Sequence, residues 1–218
     1  MGMTAKDRPP AEVPDFEGFS AQLGHSVEKA ETGGEPVSLV LTDLDWFGRL
    51  NNELGQPAGD ALLELLGARL REAFGSDGAV CRYGGDAFAV ILPGVERETA
   101  FLRAEAVREF FANTHTLTLG NGDSVTADAT ISAGVASFPE DGARDSELIR
   151  KVNEALYRAK ITGRNKVCLA RAEKMVTKTS HYGQGQLEGL SRLAKREGVN
   201  EAALLREALD DLLRKYND

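Results

Sequence analysis

The chain has few cysteines and no long apolar run. Only two of its 218 residues are cysteine, Cys81 and Cys168, and both lie in apolar stretches that resemble strands. Buried thiols in a reducing compartment explain this pattern better than a disulfide framework, so we expect a cytoplasmic protein. No apolar stretch approaches the ~18 residues of a membrane-spanning helix, so we expect no membrane contact. The polar, proline-containing start MGMTAKDRPPAEVPDFEG is unlike a secretory signal.

Positive charge is also scarce. With 26 Lys and Arg against 34 Asp and Glu, the net charge is −8, which argues against a surface that wraps nucleic acid throughout. From Lys174 to the end there are 8 basic and 7 acidic residues, a net of +1, which leaves −9 on the rest. The shift predicts a flexible leader at 1–15, a main domain at 16–173 and a separate segment at 174–218.

What the main domain does contain is an alternation of segments with helix and strand patterns. Apolar periodicity predicts helices from Phe16 to Ala30, from Ala58 to Phe74, across ERETAFLRAEAVREFFAN, and from Leu148 to Ala159. Strands are predicted in PVSLVLTDL, Val80 to Tyr83, Phe88 to Leu92, TLTLGNGDSVTADATISAGVASF and KVCLA. This order predicts an α+β fold, a mixed sheet wrapped by helices.

Carboxylates and glycines are concentrated near two predicted strand ends. Asp43 and Asp45 are two apart at the exit of a buried strand, so they point to the same side unless the strand has already ended. Gly84 and Gly85 form a hairpin turn that carries Asp86, and this turn could lie beside the first strand. Carboxylates from neighbouring strand ends suit Mg²⁺, and the glycines would allow backbone to approach a phosphate.

Two cations follow on the last predicted helix. Lys160 and Arg164, in YRAKITGRNK, are about one helical turn apart and suit a polyphosphate. Each feature alone has an ordinary structural interpretation. Gly-Gly-Asp is a common turn, the Asp43 and Asp45 pair could cap the next helix, and cations near a helix end complement its dipole. The combination, in this order, favours a nucleotide site.

The segment from about Val37 to Ala170 resembles a GGDEF domain, the diguanylate cyclase family. The resemblance is carried by LVLTDLDWFGRLNNELGQPAGDALL, RYGGDAFAVILP, ISAGVASFPEDG and VNEALYRAKITGRNKV. It implies a sheet like the palm of class III adenylyl cyclases. It also implies a reaction between two GTP-loaded domains that face each other, in which each 3′-hydroxyl attacks the other nucleotide's α-phosphorus. The products are cyclic di-GMP and pyrophosphate.

The resemblance also implies roles for individual residues. Mg²⁺, or Mn²⁺, would be held by Asp43, Asp86 and the Leu44 carbonyl. The triphosphate would lie against Phe47, Gly84 and Gly85. The family positions for guanine recognition are Asn51 and Asp60. The cations on the phosphate side, counted with the catalytic carboxylates, are Arg82, Lys160 and Arg164.

Three positions depart from the family pattern. Ala87 replaces the signature glutamate, which removes one carboxylate from the metal site. Gly48 replaces a lysine that usually contacts phosphate, and the arginine and aspartate of the inhibitory product site are replaced by GSDG at 75–78. Adenylyl cyclases of the related fold often have Gly-Asp-Ala at this hairpin and work with two aspartates. Two hypotheses follow: an active cyclase, and a degenerate regulator that binds GTP or cyclic di-GMP and DNA.

The C-terminal segment resembles a ribbon–helix–helix unit. A short strand precedes one amphipathic helix, and Asn200 caps a second helix. The resemblance implies a homodimer whose paired strands enter the DNA major groove. Lys178, Thr179 and His181 would lie on the ribbon, and Asn200 would face a phosphate. The alternative is a helical hairpin that serves dimerisation only.

Overall fold

The computed structural model describes residues 16–171, 180–197 and 200–216. The chain divides into two compact units, Met1–Ala172 and Glu173–Asp218. The predicted leader at 1–15 lies outside the described residues. Within the described ranges, no helix has the length and apolar character needed to cross a membrane. Both cysteines are free thiols, Cys81 buried and Cys168 partly buried.

The first unit alternates helices and strands in the predicted order. Its helices are α1 (Phe16–Gly33), α2 (Phe47–Leu54), α3 (Gln56–Phe74), α4 (Arg97–Phe111) and α5 (Asp145–Ile161). Its strands are β1 (Val37–Leu44), β2 (Ala79–Gly84), β3 (Ala87–Pro93), β4 (Thr114–Thr118), β5 (Ser124–Asp128), β6 (Ile131–Phe138) and β7 (Val167–Leu169). The short helix α2 was not predicted from the sequence.

Five strands form one sheet in the order β2-β3-β1-β6-β7, and β4 and β5 form a separate hairpin. Strand β1 is central and pairs antiparallel with β3 and β6, while β7 lies parallel to β6. The prediction of a mixed sheet wrapped by helices is therefore confirmed.

The central strand β1 is buried along its whole length because helices cover both faces of the sheet. Val40 and Leu44 pack in the cluster formed with α3 and α4. Leu39 and Leu41 pack on the other face, against α1 and α5. Since successive side chains alternate between faces, Asp43 shares the face of Leu39 and Leu41 and points toward α5. This alternation determines which cation Asp43 can reach.

Helix α5 lies directly on β6 at a glycine. A Cβ built on Gly134 would lie 2.3 Å from the Val152 carbonyl oxygen and 2.6 Å from the Leu156 nitrogen. Both atoms belong to the backbone, so neither can rotate away. The absence of a side chain at Gly134 therefore sets the depth at which α5 packs, and with it the position of the α5 residues near Asp43.

We predict that Gly134→Ala lowers the free energy of unfolding by about 1–3 kcal/mol, the usual cost of overpacking a close contact. Urea denaturation of the full chain measures this change. Gly120→Ala is the matched control, because a Cβ at Gly120 meets nothing within 4 Å. A loss at Gly134 no larger than the loss at Gly120 would show that α5 can move away from the sheet without cost.

The second unit contains two helices, α6 (Gln184–Glu197) and α7 (Glu201–Tyr216). Ala194 is buried, and the hydroxyl of Ser191 donates to the Glu201 carboxylate, which links the two helices. Several large apolar side chains stay open to solvent, namely Leu187, Leu205, Leu209 and Leu212. Of the residues predicted to lie on the ribbon before α6, Lys178 and Thr179 fall outside the described residues and His181 falls within them.

Candidate active site

Strand pairing brings the two predicted metal-binding carboxylates to one place. Asp43, near the end of β1, is paired in register with Ala87, the first residue of β3. Asp86 immediately precedes Ala87 in the turn of the β2–β3 hairpin. Asp86 is close enough to Asp43 to raise the pKa of the Asp43 carboxyl by charge repulsion. The sheet therefore brings together the two aspartates that the sequence pattern paired.

The Asp43 carboxylate lies in a conflicting electrostatic environment. Its burial is the largest influence and raises its pKa. Lys160 on α5 opposes this effect, since its Nζ lies 2.7 Å from Asp43 Oδ1. The negative charges of Asp86 and Asp45 raise the pKa again, and the net shift is upward. A buried carboxylate with acidic neighbours stabilises an additional positive charge that lies beside it.

The hairpin turn beside Asp43 has an open backbone surface. Gly85 has φ of 37°, in the left-handed region that favours glycine, and a Cβ at Gly84 or Gly85 would meet nothing within 4 Å. Arg82 donates to the Gly85 carbonyl oxygen, and its guanidinium carbon lies 5.0 Å from the centre of the Phe88 ring. Arg82 therefore braces this turn from within β2.

Asp45 has a different environment from Asp43. Strand β1 ends at Leu44, so the two aspartates do not continue the strand alternation. The Asp45 side chain has no exposed surface and accepts hydrogen bonds from Thr130 Oγ1 at 2.8 Å, Ser132 Oγ at 2.7 Å and the Asn165 backbone N–H at 3.0 Å. Both carboxylate oxygens are used, so Asp45 connects segments of the protein.

The same cluster holds Arg164. Its Nε lies 4.0 Å from Asp45 Oδ1, and its guanidinium carbon lies 3.6 Å from the centre of the Trp46 ring. The sequence reasoning did not identify Trp46. The available signal was that the chain's only tryptophan directly follows the Asp43–Asp45 pair.

The predicted guanine-reading residues lie where α2 and α3 meet. The helices are joined at Gly55, whose φ of 86° allows the sharp turn. A Cβ at Gly59 would lie 1.9 Å from Asn51 Oδ1 and 3.1 Å from the Phe47 ring, so this glycine admits both side chains. Asn51 Oδ1 is buried and has no hydrogen-bond partner among the residues that the structure describes. Asp60 follows Gly59 on α3 and is exposed.

The donor set fits a hard cation of the Mg²⁺ type. Among residues 16–171, 180–197 and 200–216, no group of three or more His, Cys, Asp or Glu could hold a metal ion. Asp43 and Asp86 supply two carboxylates, and Leu44 supplies a backbone carbonyl between Asp43 and Asp45. Mg²⁺ binds proteins in this way, through one or two carboxylates, with water and phosphate oxygens completing the shell.

The structure also shows where the departures from the family pattern lie. Gly48 lies in the first turn of α2, and the neighbouring Arg49 pairs with Glu53, with Nε 2.7 Å from Oε1. In the 75–78 segment, the Asp77 carboxylate lies 2.5 Å from Arg103 Nη1, and this bond lowers the pKa of Asp77. Ala87, which stands in place of the signature glutamate, is paired with Asp43 inside the sheet.

The predicted DNA-contacting residues are described only in part. His181 and Asn200 are exposed, and the Asn200 carbonyl oxygen accepts from the Leu204 N–H at 3.4 Å as α7 begins. Lys178 and Thr179 lie outside the described residues.

The β2–β3 hairpin thus places Asp86 beside the end of the central antiparallel strand β1. Residues 12–166 match the model of the GGDEF domain of diguanylate cyclases, and the chain therefore belongs to the GGDEF family. Residues 184–217 match the ribbon–helix–helix domain model. Both predicted resemblances are confirmed.

Two curated relatives each match about two thirds of this chain. Response regulator PleD of Caulobacter vibrioides is 34% identical over 149 residues, 68% of this chain and 32% of PleD. The probable diguanylate cyclase DgcT of Escherichia coli is 32% identical over 143 residues, 65% of this chain and 31% of DgcT. The chain thus spans about a third of the length of these relatives.

Solved GGDEF structures have the same fold as this unit. The GGDEF domain of YfiN from Pseudomonas aeruginosa has a TM-score of 0.68 at 26% identity and covers 74% of this chain and 99% of its own. The active GGEEF domain of a diguanylate cyclase from Vibrio cholerae has a TM-score of 0.66 at 26% identity, with coverage of 74% and 100%.

We predict opposite stability changes for the two neighbouring aspartates. Because the pKa of Asp43 is raised by folding, the folded state holds that proton more tightly than the unfolded state. Stability therefore falls as pH rises from the unfolded pKa, near 3.8, through the raised folded pKa. Asp43→Asn removes this loss, so the variant is more stable than wild type at pH 7, and its advantage disappears in acid.

Asp45→Asn should lower the free energy of unfolding by about 1–3 kcal/mol, because its amide would meet donors that now bind a carboxylate. Thermal unfolding of both variants across pH 3 to 8 measures the contrast. If Asp43→Asn is less stable than wild type at pH 7, the Asp43 carboxylate stabilises the fold. Its charge is then not in a net unfavourable environment.

Proposed function

We propose that this protein is a diguanylate cyclase that condenses two GTP molecules into cyclic di-GMP with Mg²⁺, or Mn²⁺, as cofactor. The juxtaposition of Asp43 and Asp86 on paired strand ends, with Lys160 at 2.7 Å from Asp43, carries the proposal. Relatives whose names include diguanylate cyclase support it, such as DgcT of Escherichia coli and DgcP of Pseudomonas aeruginosa. Membership of a fold family alone would not be sufficient, because one fold hosts many activities.

In the proposed site, each residue has one task. Asp43, Asp86 and the Leu44 carbonyl would hold the cation, whose chemistry would be to neutralise phosphate charge. Lys160, whose Nζ lies 2.7 Å from Asp43 Oδ1, would supply a positive charge to the phosphates beside that carboxylate. Gly84 and Gly85 present backbone to the triphosphate without side-chain obstruction.

The reaction proceeds between two facing chains. The 3′-oxygen of one GTP forms a bond to the α-phosphorus of the other, and the bond to pyrophosphate breaks. The proton of the attacking hydroxyl leaves to solvent or to a nearby base. A second, symmetric step closes the ring, so two GTP give one cyclic di-GMP and two pyrophosphates.

Guanine recognition rests on the α2–α3 junction. The Asp60 carboxylate can accept from the guanine N1–H and amino group, a donor pair that adenine does not offer. Asn51 Oδ1 is buried with no hydrogen-bond partner in the described part of the chain, so a ligand donor there would satisfy it. A buried acceptor left unsatisfied costs about 1–3 kcal/mol, which is about ten- to a hundredfold in affinity.

Ala87 is compatible with activity when two aspartates are sufficient. Removing the signature glutamate leaves the cation more dependent on phosphate oxygens and water, which Mg²⁺ tolerates. We expect catalysis that is slower than in a site with the full signature.

We predict that the wild-type protein converts Mg²⁺-GTP to cyclic di-GMP and makes no cyclic dinucleotide from ATP. Asp86→Asn should abolish the product while the fold persists, because a hairpin tip contributes little packing. Ala87→Glu should leave activity unchanged or raise it. Chromatography of the products at equal protein concentration makes the comparison. The contradicting result is a wild type that is as inactive as Asp86→Asn while Ala87→Glu makes cyclic di-GMP. That result would show that alanine at position 87 has abolished the cyclase activity.

That outcome would favour the second candidate function. A catalytically silent regulator that binds GTP or cyclic di-GMP and DNA would keep the nucleotide site and use the second unit as its output. The observations that favour it are Ala87 in the signature and the match to a ribbon–helix–helix domain. Asp86→Asn would then leave DNA binding intact and abolish only its response to nucleotide.

We propose further that the second unit holds the protein as a homodimer. Leu187, Leu209 and Leu212 are 44%, 53% and 51% exposed in the single chain, although they lie on amphipathic helices. Ribbon–helix–helix chains bury such leucines against a second copy of themselves. A dimer would also raise the local concentration of the partner GGDEF domain, which the reaction requires.

We predict that the full chain is a dimer at low micromolar concentration and that the Leu209→Glu/Leu212→Glu double variant is monomeric. A buried glutamate at a two-fold interface places a charge in an apolar contact on both chains. Sedimentation velocity measures the change. Leu102→Glu is the matched control, since Leu102 is 67% exposed on α4 of the other unit. If the double variant remains dimeric, the dimer interface does not include Leu209 and Leu212.

We also propose that the same segment contacts double-stranded DNA. The prediction is that Lys178→Ala and Thr179→Ala weaken DNA binding, and that Lys178→Ala also reduces its salt dependence by about one unit of slope. Fluorescence anisotropy across a salt series measures both quantities. If affinity and slope are unchanged, the unit serves dimerisation alone.

A further inference from the structure

Trp46 occupies a position that does not suit a bulky side chain. Its backbone has φ of 58°, in the left-handed region, where large residues are genuine outliers and glycine or asparagine is favoured. Its side chain is 62% exposed, so the ring contributes little to the core. Neither backbone preference nor apolar burial explains a tryptophan here. An unfavourable conformation retained without a packing benefit points to a local function.

The contact that the ring does make is with Arg164. The guanidinium carbon lies 3.6 Å from the ring centre, a stacked cation–π geometry. Arg164 and Asn165 also have left-handed backbones, with φ of 59° and 45°. Two unfavourable turns, one after β1 and one after α5, therefore face each other and bring the ring and the cation together.

Other contacts hold these two turns in register. The Asn165 N–H donates to Asp45 Oδ2 at 3.0 Å, and the Arg164 N–H donates to the Ala159 carbonyl oxygen at 3.0 Å. On the far side, Arg108 Nη1 donates to Asn165 Oδ1 at 3.1 Å. The backbone at Arg164 is therefore fixed, and the orientation of its long side chain is the remaining freedom, which the Trp46 ring restricts.

The first turn of α2 next to Trp46 has no free cation of its own. Gly48 has no side chain, and Arg49, with its side chain 75% exposed, pairs with Glu53. The guanidinium of Arg164, held over Trp46 at the start of α2, places a positive charge beside this turn. It thus supplies, from the turn after α5, the charge that position 48 lacks.

We propose that Trp46 is a positioning residue, whose ring stacks on the Arg164 guanidinium and holds that cation ready for the nucleotide triphosphate. This inference rests on the function proposed above. Fixing a flexible arginine before the ligand arrives lowers the ordering cost of binding. The expected effect is therefore on GTP affinity, by about three- to tenfold, the range of an exposed to partly desolvated cation–π contact. The rate of the bound complex should change less.

The Trp46→Gly variant distinguishes a positioning role of Trp46 from a purely structural role. Glycine relieves the left-handed backbone, so the thermal midpoint of the full chain should stay the same or rise. Affinity for Mg²⁺ with a GTP analogue that cannot react, measured by calorimetry, should nevertheless fall about three- to tenfold. Trp46→Phe, which keeps a ring, should restore part of that loss. Leu102→Ala, which removes an exposed apolar side chain elsewhere, is the matched control and should bind as wild type.

A double-variant cycle tests whether Trp46 acts through Arg164. In an Arg164→Gln background, Trp46→Gly should cause no further loss of affinity, because the stacking partner is already absent. An equal loss in both backgrounds would overturn the positioning role and make Trp46 a direct nucleotide contact. The chain's single tryptophan gives an independent readout, since its emission should change when Arg164 is replaced.

The outcomes distinguish this inference from the proposed function. If wild type binds Mg²⁺ and the analogue but Trp46→Gly binds equally well, the positioning role is wrong and the nucleotide site stands. If Trp46→Gly binds weakly and also unfolds at a lower temperature than wild type, the ring is structural and the inference is wrong. If wild type does not bind the analogue at all, both the inference and the proposed function fall.

Discussion

The buried carboxylate of Asp45 connects three parts of the first unit, and the geometry of the candidate site depends on it. Its two oxygens accept hydrogen bonds from the start of β6, through Thr130 and Ser132, and from the loop after α5, through Asn165. In low dielectric such bonds are strong, and losing any one would leave a buried charge incompletely satisfied. The end of β1 is thereby fixed relative to the cations that follow α5.

The fixed strand end also holds a second carboxylate, Asp43, in its buried position. Asp43 lies two residues earlier on the opposite side of this connection, buried and beside acidic groups, with Lys160 as its counter-charge. A fold with less rigid support would turn such a carboxylate toward solvent. Here the sheet pairing with β3 and β6 prevents that movement. A cation bound beside Asp43 would offset the negative charge of this carboxylate and of its acidic neighbours.

Much of this arrangement could be predicted from local patterns. The apolar run before Asp43 and the Gly84-Gly85 turn predicted a strand and a hairpin, and strand pairing then placed Asp86 near Asp43. The role of Asp45 could not be predicted, because its partners are 85, 87 and 120 residues away in the chain. The Trp46–Arg164 stack was missed for a related reason: it depends on left-handed backbones at residues whose side chains give no sign of them.

The central claim is that two aspartates from paired strand ends make a nucleotide-dependent cation site without the signature glutamate. Electron paramagnetic resonance of Mn²⁺, titrated into full-length protein with a GTP analogue that cannot react, tests it directly. We predict that Mn²⁺ binds in the presence of the analogue, and that Asp43→Asn and Asp86→Asn each abolish this binding. Asp123→Asn, at an exposed turn, should leave it unchanged. Mn²⁺ binding that survives both substitutions, or that is absent from the wild type, would contradict the claim.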